Sequence, residues 1–223
     1  MNKNYLSNPR HIAVLGMFSA LSLVVVILSE SIPKVEGFLS YEPKDAIIVI
    51  SGLLFGPLSS VIISFLVSFI EMVTFSSTGP IGFLMNVIST CAFALPPALM
   101  YRKSRTKKSA VIGLVLGVLF MTVAMLLWNY IITPFYMHVD RATVTKMLIP
   151  VFLPFNLTKG GINAGLNMLL YKPVVTALRS SGLVSSTGSE TDTPKFSVGF
   201  FIISLAVLIT FVLAFLALIG VLG

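Results

Sequence analysis

Apolar residues run through this chain in long blocks rather than in alternation, near residues 11–30, 46–56, 58–75, 82–101, 110–134, 150–171 and 196–221. Most of these blocks hold about 18 to 25 positions, enough to cross a hydrocarbon core about 30 Å thick. They predict helices, because within lipid only a helix or a closed barrel satisfies every backbone donor and acceptor. No internal repeat is evident. The block at 46–56 is the exception in length: as a helix it reaches only about 16 Å at 1.5 Å per residue. It must therefore extend back through Lys44-Asp45 or sit in a position buried by protein.

Gly56-Pro57 either kinks one long helix or separates two short ones. Charge decides between them. Lys3 and Arg10 precede the first block, and Arg102, Lys103, Arg105, Lys107 and Lys108 form the densest basic loop. The positive-inside rule puts both in the cytoplasm, so an even number of crossings must separate them. Two crossings at 46–75 give four in all, whereas one kinked helix gives three. A further inner group at Lys172, Arg179 and Lys195 brings ten of the fifteen Lys and Arg residues to that side. Glu30, Glu36, Glu42, Asp45, Glu71 and Asp140, six of the eight acids, then lie toward the outer side. The amino terminus is expected in the cytoplasm.

Composition agrees. The chain is 56% hydrophobic and 10% charged, against roughly 45–50% and 25% for soluble domains, and its mean hydropathy is +0.99. A soluble enzyme is excluded, and the net charge of +7 follows from the inner loops rather than from a nucleic-acid partner. The stretch Ile12 to Leu28 is longer than a signal-peptide core and has no small-x-small site after it, so it reads as a retained helix. The single cysteine, Cys91, builds no disulfide framework. The fold class is thus an all-α polytopic membrane protein. Its expected parts are a membrane-embedded bundle at 1–179, a Ser/Thr-rich polar linker at 180–195 and an additional helix at 196–223. The last block carries no charge and reads as peripheral and lipid-facing.

Function should lie in polar groups at membrane depth, which cost free energy unless they are paired or used. Asn156, Lys159, Asn163 and Asn167 recur at i, i+3, i+7 and i+11, one stripe on a helix facing the bundle interior. Such a stripe serves either as hydrogen-bond glue between helices, at about 0.6 kcal/mol per contact, or as a ligand surface. Lys159 favours the second reading, because Pro154 precedes it and Gly160-Gly161 follow, where the backbone can approach a ligand closely. Asn129 sits between Trp128 and Tyr130, an amide beside flat apolar faces that suits a heteroaromatic ring, although aromatic residues also belt membrane interfaces. Asn86 and Glu71 are further candidates. The loop from Phe38 to Asp45, with Leu39, Ser40 and Tyr41, reads as a binding lid or as a solvated loop whose Lys44 and Asp45 compensate each other. Ala13, Gly16 and Ala20 share one face of the first helix, and Gly113 and Gly117 form a GxxxG face. Both suit either internal packing or docking to a partner.

Several chemistries are missing. There is no GxxxxGK[ST] phosphate loop; His11, His138 and one cysteine make no metal cluster; and there is neither a GxSxG elbow nor a Ser-His pair. No catalytic residue, metal site or cofactor is expected.

The strings FLSYEPKDAIIVISGLLFGPL (38–58), IEMVTFSSTGPIGFLMNVIS (70–89), LLWNYIITPFYM (126–137) and PVFLPFNLTKGGIN (150–163), with LLYKPVVTAL after them, carry a resemblance. Over about residues 10–179 the chain resembles the riboflavin-specific, RibU-type substrate-binding (S) components of energy-coupling factor (ECF) transporters. That resemblance implies a six-helix bundle in a bacterial cell membrane that binds riboflavin from outside. It also implies assembly with a transmembrane coupling subunit and two cytoplasmic ATPases, which reorient the binder. It puts ligand contacts at Asn129, Asn156 and Lys159, a covering loop at Leu39, Ser40 and Tyr41, aromatic cover at Trp128 and Tyr130, and lesser contacts at Asn86 and Glu71. The first-helix face at Ala13, Gly16 and Ala20 would meet the coupling subunit. The linker and the seventh block depart from the family's six helices. Binding of another small nutrient, a stand-alone secondary carrier and a purely structural membrane protein are the other readings.

Overall fold

The computed structural model describes residues 9–76, 78–181 and 197–221. The linker expected over 180–195 falls almost entirely outside these residues, as does Lys3. Helices α1 (Pro9–Ser29), α2 (Lys44–Phe55), α3 (Pro57–Thr74), α4 (Gly79–Ser104) and α5 (Lys107–Ile131) follow the predicted blocks. Two short helices come next, α6 (Thr133–Met137) and α7 (Arg141–Met147). A π-helical turn at Leu148–Phe152 leads into α8 (Leu153–Ser180), and α9 (Val198–Leu218) follows the linker. By length and composition α1, α3, α4, α5 and α9 can each cross a membrane. α8 has the length, at 28 residues, but carries the polar stripe.

The Gly56-Pro57 question resolves as two helices. Gly56 takes φ 97°, a left-handed conformation that suits glycine, and Pro57 occupies the first turn of α3, where its missing N–H costs nothing. The turn between α2 and α3 lies at the same end of the bundle as the start of α1, because the Phe55 ring sits 5.0 Å from His11 and 6.0 Å from Phe18. α2 starts at Lys44, the first of the two alternatives its short apolar run left open. The basic loop from Arg102 to Lys108 therefore shares an end with Arg10. It turns tightly: Arg105 takes φ 48°, and the Thr106 side chain accepts from Ser109 N at 3.1 Å in a capping box.

The small-residue face of α5 serves internal packing. A Cβ on Gly113 would collide with the Pro97 backbone of α4, and one on Gly117 with the Phe93 carbonyl. Ala13, Gly16 and Ala20 instead lie exposed on α1. Between these helices the core is apolar, with Ile48, Val49, Ile63, Val67, Phe93 and Met121 inaccessible. α9 is peripheral, as expected, but one of its faces is seated on α8.

Candidate functional site

At the end of the bundle opposite the basic loop, a cavity of about 310 Å³ opens between the α1–α2 loop, α3, α4, α5 and α8. That volume is at the lower edge of the range typical of small-molecule sites, about 300–1,000 Å³. Its wall is part apolar (Val26, Leu39, Met85, Met125, Trp128, Phe155) and part polar (Ser40, Glu42, Glu71, Asn86, Asn129, Asn156, Lys159).

The loop above the cavity is folded on itself. Val35 and Leu39 exchange backbone hydrogen bonds at 3.0 Å across a turn in which Glu36 and Gly37 both have positive φ. This turn presents Phe38 to Phe152, with ring centroids 6.0 Å apart, and brings Leu39 and Ser40 to the cavity wall.

Beneath the loop lies a buried charge network. Lys44 donates to both oxygens of Glu71 at 2.6 Å and stands 3.5 Å from Glu42. Lys159 donates to Glu42 at 2.8 Å and lies 3.7 Å from Asp45. Thr90 donates to Asp45 at 2.6 Å, and Asn86 to Glu71 at 2.9 Å. Lys44 and Asp45 are both 0% exposed. The reading of these two as solvated, mutually compensating charges is therefore overturned: each is buried and takes its partners from other segments. The physical reason is the brevity of α2, whose first turn must lie inside the bundle for the helix to cross at all. Burial would push the Glu42 carboxyl up, but Lys159 and Lys44 outweigh it and hold it at about 2. Its folded value is thus below its ordinary one, so the stability it contributes is present above about pH 4.5 and is lost only toward pH 2.

The polar stripe on α8 divides. Asn156 and Lys159 reach the cavity, where the Asn156 amide nitrogen donates to Phe152 O of the preceding π-helical turn at 2.8 Å. Asn163 is glue between α8 and the loop: it accepts from Tyr41 Oη and donates to the Glu42 carbonyl, each at 3.2 Å. Asn167 donates back to the Asn163 carbonyl at 2.9 Å. On α5, Asn129 donates to Met125 O and accepts from Thr133 Oγ1, both at 2.8 Å, while facing the cavity beside Trp128.

Of the ten residues singled out for ligand contact, Asn129, Asn156, Lys159, Leu39, Ser40, Trp128, Asn86 and Glu71 line the cavity. Tyr41 and Tyr130 do not. Tyr41 is buried behind the loop against Phe215, and Tyr130 is 41% exposed on the outer face of α5 with the Arg141 guanidinium over its ring. Trp128 and Asn129 share the cavity side of α5, and the next 100° step carries Tyr130 round to the outer face. Gly160 and Gly161 are also reassigned. α8 runs regularly through them, and they receive side chains of α5 (Val118, Met121) and α9 (Phe211) rather than a ligand. The irregular backbone lies more than two turns earlier, in the π-helical turn at Leu148–Phe152. Glu42 was missed as the link between the two lysines, and Thr90 as a partner of Asp45. Nothing in the spacing of either residue marks it, because both act across segments.

The fold and this site define a multi-pass helical membrane protein with a solute-sized, partly charged cavity at one end of its bundle. Residues 10–171 match the model of the ECF transporter substrate-specific component, and the chain belongs to that family. It is 26% identical over 184 residues to the riboflavin transporter FmnP of Bacillus subtilis strain 168, covering 77% of this chain and 97% of that one. A riboflavin transporter RibU of Staphylococcus aureus is 26% identical over 182 residues, covering 79% and 95%. In fold the chain is similar to the solved S component of a bacterial ECF transporter, with a TM-score of 0.66, 24% identity, and coverage of 78% of this chain and 99% of that one. These relatives are transporter components, a non-enzymatic role. α9 lies beyond residue 171, where the family match ends.

Proposed function

We propose that this chain is the riboflavin-binding S component of an ECF-type importer. The observation that carries the reading is the cavity itself, which combines amides, the Lys159 ammonium in its floor and Lys34 at its loop, and a Trp face within about 310 Å³. Riboflavin is uncharged, with an apolar tricycle, a pyrimidine-like edge of donors and acceptors, and a polyol tail. Asn129, Asn156 and Lys159 match the edge and hydroxyls in hydrogen-bonding type, and Trp128, Leu39 and Phe155 match the rings. The names borne by the curated relatives support the same ligand. The cavity end faces outward and the amino terminus lies in the cytoplasm, a reading supported by the basic residues gathered at the opposite end.

The protein captures the vitamin from outside, and a coupling subunit with two ATPases reorients it; the work comes from ATP hydrolysed by the partners. The chain itself need only offer two states of different affinity. Purification from cells grown with riboflavin is expected to yield protein carrying flavin absorbance, and quenching of flavin fluorescence should titrate to one site. Protein that purifies colourless and quenches no flavin overturns the reading, and a different nutrient in the eluate replaces it.

Docking is expected on the exposed α1 face. Gly16 is exposed and a Cβ added there meets nothing within 4 Å in this chain, so Gly16→Trp should leave folding and flavin binding intact while preventing co-purification with the coupling subunit. An intact complex carrying Gly16→Trp would remove α1 from the interface.

A further inference from the structure

The family match ends at residue 171, yet α9 (Val198–Leu218), which lies beyond it, reaches the loop over the cavity. Its seat is built for close approach. A Cβ on Gly161 would enter the Phe211 ring, and one on Gly165 would sit 3.0 Å from Leu208 Cα, so α8 accepts α9 only because both positions are glycine. At the far end of this seat Val35, Tyr41, Phe155, Ile162 and Phe215 form a buried apolar cluster, separate from the main core, that joins the loop to α8 and α9.

Phe215 is 6% exposed, and its ring centroid lies 5.6 Å from that of Tyr41. With its ring held there, Tyr41 donates from its hydroxyl to Asn163, whose amide nitrogen donates to the Glu42 carbonyl. Glu42 in turn accepts from Lys159 on the cavity wall. The loop's own bonds, the Val35–Leu39 pair across two positive-φ residues, shape its tip but do not tie it to the bundle. Its anchorage comes from the Glu42–Lys159 ion pair and the Phe38–Phe152 contact on one side, and from this cluster and the Tyr41–Asn163–Glu42 chain on the other.

We propose that α9 is a built-in brace for the cavity loop, with Phe215 as the positioning residue that acts through Tyr41, and that the brace slows ligand exchange. The kinetic half of this proposal rests on the riboflavin reading above; the structural half does not.

The test uses the full chain in lipid nanodiscs. In ligand-free protein, Phe215→Ala is expected to raise amide hydrogen exchange across residues 32–43 about tenfold, whereas Ile209→Ala on the exposed face of α9 leaves it unchanged. Phe215→Leu, which refills most of the volume, should restore most of the protection. With riboflavin as the probe, Phe215→Ala should release flavin about tenfold faster while the association rate stays within about twofold, because a brace acts on the closed state.

Loop exchange unchanged in Phe215→Ala overturns the brace. If Phe215→Ala does not fold, the same comparison is made with Phe215→Val, which removes the ring packed on Tyr41 but keeps a branched apolar side chain; unchanged loop exchange there overturns the brace equally. Faster exchange with unchanged flavin release overturns the slowing of ligand exchange. Failure of the unaltered chain to bind riboflavin overturns the functional reading alone, since the exchange comparison still decides the brace.

Discussion

Lys44→Met is expected to lower the unfolding free energy by about 3–5 kcal/mol, the cost of leaving a buried carboxylate without its counter-ion. Lys44 is 0% exposed and bonds both oxygens of Glu71. Without it, Glu42, Asp45 and Glu71 would surround the single ammonium of Lys159. The double variant Lys44→Met with Glu71→Leu should recover most of the loss, because an apolar pair of similar volume in a buried site is about neutral against an ion pair. Thermal unfolding in detergent checks both. A single variant as stable as the unaltered chain, or a double variant no better than the single one, contradicts the account of Lys44 and Glu71 as an obligatory pair.

Lys159→Ala is expected to weaken riboflavin binding by about 1–3 kcal/mol, or about 5- to 150-fold in Kd. Lys159 is the cationic donor of the α8 stripe that reaches the cavity, and it also neutralises Glu42. Its loss therefore removes a donor to the ligand and leaves the Glu42 carboxylate with Lys44 alone, 3.5 Å away. Lys159→Met keeps the stem and should show the same loss of affinity, which assigns the effect to the ammonium rather than to volume. An unchanged affinity in a fluorescence-quenching titration of either variant refutes the role.

Much of this architecture was legible in the chain. The helices at Pro9–Ser29, Pro57–Thr74, Gly79–Ser104 and Lys107–Ile131 follow the apolar blocks, and charge parity separated α2 from α3 before Gly56 was seen to break them. Asn129, Asn156 and Lys159 reach one cavity because polar groups on the buried side of a membrane helix are few and costly. For the loop ending in Lys44 and Asp45 the sequence left a binding lid and a solvated loop open, and the burial of both residues excludes the second. The glycine pair at 160–161 looked like a ligand approach because glycine marks any close approach without naming what approaches.

What the sequence by itself determined is one-dimensional: how many segments cross, how long each is, where its polar face falls and at which end the basic residues gather. These depend on a segment's apolar length and helical period against the bilayer, so no other segment need be consulted. The tertiary structure alone decided the pairings. Two lysines and three carboxylates drawn from four segments can combine in several ways, and only the packed arrangement puts Lys44 on Glu71 and Lys159 on Glu42. It also decided that Phe215, some 174 residues after Tyr41, closes against it, a contact set by two helices meeting across paired glycines rather than by any local pattern.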